Sequence, residues 1–421
     1  MSWYPSVAAA VRPGALFALF APFFVRLGCL VACFGALQAS AAQAQPRTPS
    51  ADSEVLERVP ARANDSGARA LATLREAWRR DPADAEVASA LARHCLALFS
   101  ADGDPRHLGC GQAALGHWWK LPAPPPALRT LRAVVLQFSH KFDAALADLD
   151  AVLQADPQSH EAWLWRAAIL MVRARHAEAR RACEQAAALT TPLAAIGCRA
   201  QVDALTGAAA AAAEALREGL AQHGREGAAT EATVAERVWV LTRLAEIEER
   251  RGQPQAAEAA YREALALDGR DFYLHAAYAD FLLDQDRPGD AKALLAGRER
   301  VDVLLLRLAI ATQRLREPAA ARHRRELAAR FEAARRLGDA LHEKEEARFM
   351  LELQGDARRA LELASHNFTL QREPADVRVL LEAALAARDK AAAAPALAWL
   401  ADSRIEAPRL LALAAQLRQL P

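Results

Sequence analysis

The densest group of reactive side chains in this sequence lies between residues 94 and 117. His94, Cys95, His107, Cys110 and His117 stand there beside Trp118 and Trp119. Imidazole and thiolate are the ligands that hold zinc or copper. Their spacing fits no zinc-binding pattern, and no Cys-x-x-Cys-His haem attachment occurs. A metal-handling protein using this stretch as a long irregular loop is the alternative reading of the chain. Scattered surface histidines are its plainer explanation.

The cysteines admit a second chemistry. Cys95 and Cys110 are 15 residues apart, and so are Cys183 and Cys198. Each pair straddles the turn of a helical hairpin almost symmetrically, at Asp102-Gly103 and at Thr191-Pro192. Antiparallel helices bring such positions opposite one another, within reach of a disulfide. The pairing Cys95–Cys110 and Cys183–Cys198 is therefore predicted, with four buried thiols as the other possibility.

Catalytic patterns are missing. The chain has no His-Glu-x-x-His, no Gly-x-Ser-x-Gly, no phosphate-cradling Gly-x-x-x-x-Gly-Lys-Ser/Thr and no Gly-x-Gly-x-x-Gly opening a helix. Carboxylates are plentiful, but on amphipathic helices they form a solvated face far more often than an acid/base pair. The expectation is a protein that is not an enzyme and carries no cofactor.

Charge excludes another class. Lys and Arg number 53 against 52 acidic residues. Nucleic-acid binding shows as a clustered basic excess, and a balanced chain has none. Residues 314–348 hold ten basic and seven acidic side chains. They read as a mixed helix face, with docking of an acidic partner or lipid as the alternative.

The first 44 residues read as an address. Residues 14–37, "GALFALFAPFFVRLGCLVACFGAL", form an apolar core behind a basic start, and Ala42-Gln43-Ala44 fits a signal cleavage site. Ala39-Ser40-Ala41 is the second choice of site. Two alternatives remain: an uncleaved membrane anchor, since 24 mostly apolar residues can span a bilayer despite Arg26, and a lipoprotein through Cys33 in "LVAC". Removing this segment leaves a formal charge of −1. Residues 45–65 read as a flexible leader. The resulting expectation is an exported, periplasmic chain that meets a membrane only through an N-terminal anchor.

From residue 66 onward, Ala, Leu, Arg and Glu dominate, which favours helix throughout and leaves little material for strands. Self-similarity at 34 residues organises these helices. Ala257, Tyr261, Ala264 and Leu267 recur in register at 160–193 as Ala179, Cys183, Ala186 and Leu189. At 126–159 the same register holds Ala145, Leu149 and Val152, and at 341–374 it holds Ala360 and Ala364. Residues 272–305 and 375–408 follow the pattern, 306–340 follow it imperfectly, and 193–226 are degenerate. Small residues seven apart keep one helix face open for close backbone approach, and Gly252 ends a first helix.

This register resembles the tetratricopeptide repeat family. The resemblance implies an all-α protein, an α-solenoid of about eight to ten antiparallel helix hairpins over residues 66–421, stacked as a right-handed superhelix. It implies a scaffold that binds a protein or peptide in a concave groove lined by positions 2, 5, 9 and 12 of each first helix. Carried onto this chain, those are Trp239, Thr242, Glu246 and Glu249, then Tyr273, Ala276, Asp280 and Leu283, then His342, Glu345, Phe349 and Glu352. Trp239 and Tyr273 beside acids would form a peptide-gripping surface, unless they pack within the stack. The basic clamp by which some members grip a terminal carboxylate is not found in these slots.

Overall fold

The computed structural model describes residues 51, 66–226, 230–336 and 343–420. The signal and leader segments lie outside the described residues, apart from Ala51. Among the described residues there are twenty α-helices, one short π-helical stretch and no strand. In order they are α1 (Ser66–Arg80), α2 (Ala85–Asp102), α3 (Pro105–Ala114), α4 (Pro126–Phe138), α5 (Phe142–Ala155), α6 (His160–Val172), α7 (His176–Ala187), α8 (Pro192–Ala204), α9 (Ala209–Glu226) and α10 (Glu231–Arg250). Then follow α11 (Pro254–Leu267), α12 (Phe272–Asp284), α13 (Pro288–Leu295), α14 (Asp302–Arg314), α15 (Ala319–Arg336), α16 (Glu343–Phe349), α17 (Ala357–Leu370), α18 (Pro374–Ala387), α19 (Ala394–Ser403) and α20 (Pro408–Arg418). The π-helical stretch, Met350–Gln354, continues α16.

From α2 onward the helices pair as nine consecutive hairpins among the described residues, the last formed by α18 with α19 and α20. Local sequence sets their limits. Proline opens α3, α4, α8, α11, α13, α18 and α20, where its missing N–H has no helical partner to lose. Asp84, Asp104, Thr191, Thr230 and Asp271 cap helix starts with side-chain oxygens. The repeat's small residues are contact points: Ala145, Ala179, Ala257, Ala264 and Ala360 are fully buried, and Tyr261 fills the space between hairpins. Even the degenerate segment 193–226 folds as a hairpin, α8 with α9, because helix propensity and an alanine-lined seam suffice without the motif residues. Pro408, the last residue of the repeat at 375–408, opens a further helix, α20.

The stretch around residues 94–117 is not a long irregular loop. It is the hairpin of α2 and α3, turned at Gly103, whose φ of 68° is left-handed. A side chain at Gly103 would also meet Val301 and Phe272 at about 3 Å, so only glycine lets this turn sit against them. Cys95 and Cys110 face each other across this hairpin with sulfurs 2.03 Å apart, and Cys183 and Cys198 do so across α7 and α8 at 1.99 Å. Replacing Cys183 and Cys198 together by alanine is expected to lower stability by about 3 kcal/mol, the denatured-chain freedom that a cross-link over such a loop removes. The readout is the guanidinium chloride midpoint with and without reductant. A midpoint that reduction leaves unmoved in the unsubstituted chain would sink the assignment.

Within the unit from Leu71 onward, the stack curves until hairpins five apart touch. Phe99 of α2 lies 5.9 Å from Phe272 of α12. The Arg372 N–H donates to the Val172 carbonyl at 2.8 Å, and the Arg173 guanidinium donates to that of Leu370. The Ala209 N–H donates to Glu406 at 3.1 Å. Ala174 and Leu205 pack into the apolar cluster of α17–α20. These cross-turn contacts draw the first helices of the later hairpins around a shared interior.

Candidate functional site on the concave face

The first helices α10, α12, α14, α16 and α18 pack side by side along that interior. All five carry charged side chains, and on α12 and α14 these stand inside apolar runs. On α12 the acids Asp280 and Asp284 interrupt "FYLHAAYADFLLD", and on α14 Arg307 stands alone among buried Leu, Ile and Ala. A charge taken out of water needs an opposite charge and hydrogen bonds, and the curvature supplies both. Arg307 reaches Asp280 at 2.6 Å, and Arg348 of α16 reaches the other oxygen of the same carboxylate at 2.9 Å. Arg378 of α18 grips Asp284 with two hydrogen bonds of 2.6 and 2.8 Å, and Arg409 forms an ion pair with the same carboxylate at 2.6 Å. Arg348 and Arg314 both reach Glu352. Glu352 lies in the π-helical stretch, a widened turn of the kind often found at functional positions.

The pairing decides the ionisation of each group. Burial alone would raise Asp280, but Arg307 and Arg348 outweigh it and hold its carboxyl well below the usual carboxylate range. Glu249 has the opposite fate. Burial first, then the negative field of Asp284, Asp280 and Glu246, pushes it up to about 8, against the lowering effect of the Tyr261 hydroxyl 3.1 Å away. Lys344 is held charged: burial opposes this, and Glu345, Asp376 and Glu373 overcome it.

The expected groove residues fall into two groups. Glu246, Glu249 and Asp280 are each engaged with neighbouring helices: Glu246 with Tyr273, Glu249 with Tyr261, and Asp280 with Arg307 and Arg348. The Tyr273 hydroxyl donates to Glu246 at 2.5 Å while Arg243 sits 4.5 Å over its ring. Trp239 and Thr242 form the second group. Trp239 packs onto α8, where a side chain on Gly197 would come within 2.4 Å of the indole, so that glycine is its seat. Thr242 is buried and donates to the Val238 carbonyl of its own helix. An exposed aromatic grip is thus corrected to an interior of charged pairs with Tyr273 already engaged. His342 lies outside the described residues.

The basic half of this network, Arg243, Arg307, Arg348, Arg378 and Lys344, escaped the sequence reading. A signal existed: Arg348 with Glu352 and Arg378 with Glu382 are spaced four apart on one helix face, and Arg307 is the one charge within the apolar run 303–311 of α14. What they pair with across hairpins is set by curvature alone.

The metal alternative fares differently. Among the described residues no three His, Cys, Asp or Glu side chains converge as a metal site. Cys95 and Cys110 face each other, His107 bonds Asp102 at 3.1 Å, and His117 lies edge-on to Trp118. The hairpin spreads the five expected ligands along two helices and past the end of α3.

No family model and no curated protein matches the sequence. Solved structures to which the chain is similar include PilW, a widely conserved type IV pilus biogenesis factor (18% identity, 49% of this chain and 94% of that chain, TM-score 0.38). Another is the APC/C hetero-tetramer Cut9-Hcn1 (15% identity, 76% of this chain and 59% of that chain, TM-score 0.43). A third is a tetratricopeptide repeat protein from Parabacteroides merdae ATCC 43184 (15% identity, 68% and 97%, TM-score 0.34). At these identities and TM-scores the likenesses carry no argument; that the chain is an α-solenoid rests on its own consecutive helix hairpins.

Proposed function

We propose that this chain is an exported, non-enzymatic scaffold that holds a segment of another protein against the charged concave face of α10–α18. The observation that carries this reading is the partial exposure of the interior charges. Glu352 and Arg314, which pair at 3.3 Å, keep 21% and 38% of their side-chain surface open to water. Such pairs can exchange an intramolecular partner for one on a bound peptide at small net cost, whereas fully buried pairs cannot. Fold alone does not assign this role; the accessible row of charges on the inner helices supports it. Export is supported by the two cysteine pairs at bonding distance, which persist in oxidising compartments, together with the apolar N-terminal segment. Envelope-complex assembly in the periplasm is the setting proposed for it.

The test places a photoreactive amino acid at Arg314 or Glu352 on the inner face and at Arg324 or Glu362 on second helices. In the native host, one discrete protein adduct is expected from the inner positions and none from the outer ones. Adducts confined to the outer positions would refute the groove.

A further inference from the structure

A separate cleft of about 510 Å³ opens between α5, α6 and α7, a size within the small-ligand range of roughly 300–1,000 Å³. Six of its lining side chains are Trp163, Asp150, Arg166, Arg181, Gln154 and Gln185. Trp163 stands on α6, the first helix of the repeat at 160–193, and its partly buried ring bounds the open cleft. Its indole N–H donates to the Pro157 carbonyl at 2.9 Å, which holds the ring in place. Arg166 is committed to Asp150 at 2.7 Å. Arg181 is exposed and makes no ion pair among the described residues, so one guanidinium at the cleft is available to a ligand.

The chemistry of this lining is narrow. One fixed aromatic offers a face to a ligand's C–H surface. Around it stand five planar groups, two amides, two guanidinia and a carboxylate, which together offer donors and acceptors in pairs. Vicinal hydroxyls use paired donors and acceptors together, and a pyranose also presents an apolar C–H face. A nucleotide's phosphates would need more than one uncommitted cation, and a peptide anchor would need a deeper apolar pocket. We propose that this cleft binds an acidic saccharide: a pyranose stacks on Trp163, its hydroxyls meet Gln154, Gln185 and Asp150, and a sugar carboxylate pairs with Arg181. Arg–carboxylate pairing is bidentate and charge-assisted, which favours a uronate over a neutral sugar.

The experiment is calorimetric titration of the purified full chain with digalacturonate, with neutral cellobiose and with a triglutamate peptide as probes. Digalacturonate is expected to bind with a saturable isotherm, at least about tenfold tighter than cellobiose. Trp163→Ala is expected to abolish the binding. Arg181→Gln, at an exposed position that leaves the fold intact, is expected to weaken it about tenfold or more while leaving cellobiose unaffected. Circular dichroism of both variants accompanies the titrations. No binding of digalacturonate overturns the proposal. So does equal binding of triglutamate, which would make the cleft a plain anion site, and so does binding that survives both substitutions.

Discussion

Replacing Asp280 by alanine is expected to lower the unfolding free energy by about 3–5 kcal/mol, the cost of leaving a buried charge without its partner. Asp280 is the one carboxylate that neutralises both Arg307 and Arg348, at 2.6 and 2.9 Å. Those guanidinia come from α14 and α16, so the loss is felt across three hairpins. Arg307 has little access to water, at 7% of its side-chain surface, and cannot recover the lost interaction by hydration. The measurement is the urea midpoint of Asp280→Ala against the unsubstituted chain. Adding Arg307→Leu should recover part of the loss, because the stranded charge is then removed and a double-mutant cycle isolates the coupling. Additive losses in that cycle would show the ion pair to be incidental.

Glu249→Gln is expected to act in the opposite direction and to depend on pH. The folded-state carboxyl is raised to about 8, while the ordinary value is 4.5. Below pH 4.5 the group is neutral in both states and contributes nothing differential. Between 4.5 and 8 the unfolded chain has released the proton and the folded chain still holds it. Stability therefore falls as pH rises through that window and levels off above 8. Glutamine keeps the shape and removes the titration. Discounted for partial access to water, the expected gain is on the order of 2–4 kcal/mol at pH 8.5 and near zero at pH 4.5. Thermal melts of both proteins from pH 4.5 to 9 give the comparison. A difference that stays flat across that range would mean Glu249 ionises normally and that the acids around it are better screened than their placement implies.

The contrast between Asp280 and Glu249 explains how much of the site was legible in sequence. The repeat register places both at groove positions, and both are carboxylates on first helices. One is held ionised by two arginines from later hairpins, and the other is held neutral by burial and then by Asp284, Asp280 and Glu246. Nothing in the spacing of α10 or α12 separates them, because the deciding neighbours lie at sequence distances of 27 and 68 residues for Asp280. Trp239 makes the same point for packing. Its position in the register marks it as groove-facing, but Gly197, in the degenerate repeat, leaves a gap that the indole fills.

Local physics is complete in the sequence: helix propensity, proline and capping residues at helix starts, alanines seven apart on a face, and cysteines placed symmetrically about two turns. Each of these acts over one hairpin, so the hairpins, their order and both cysteine pairings can be read from residues within about forty positions of one another. The curvature of the stack is different. It is the sum of small rotations at every hairpin interface, and an error at any one displaces everything beyond it. Only the tertiary structure could decide that hairpins five apart touch, that the concave face is an interlocked set of ion pairs with no exposed aromatic grip, and that Trp163 borders an open cleft. The interactions that make those decisions join residues which no local pattern relates.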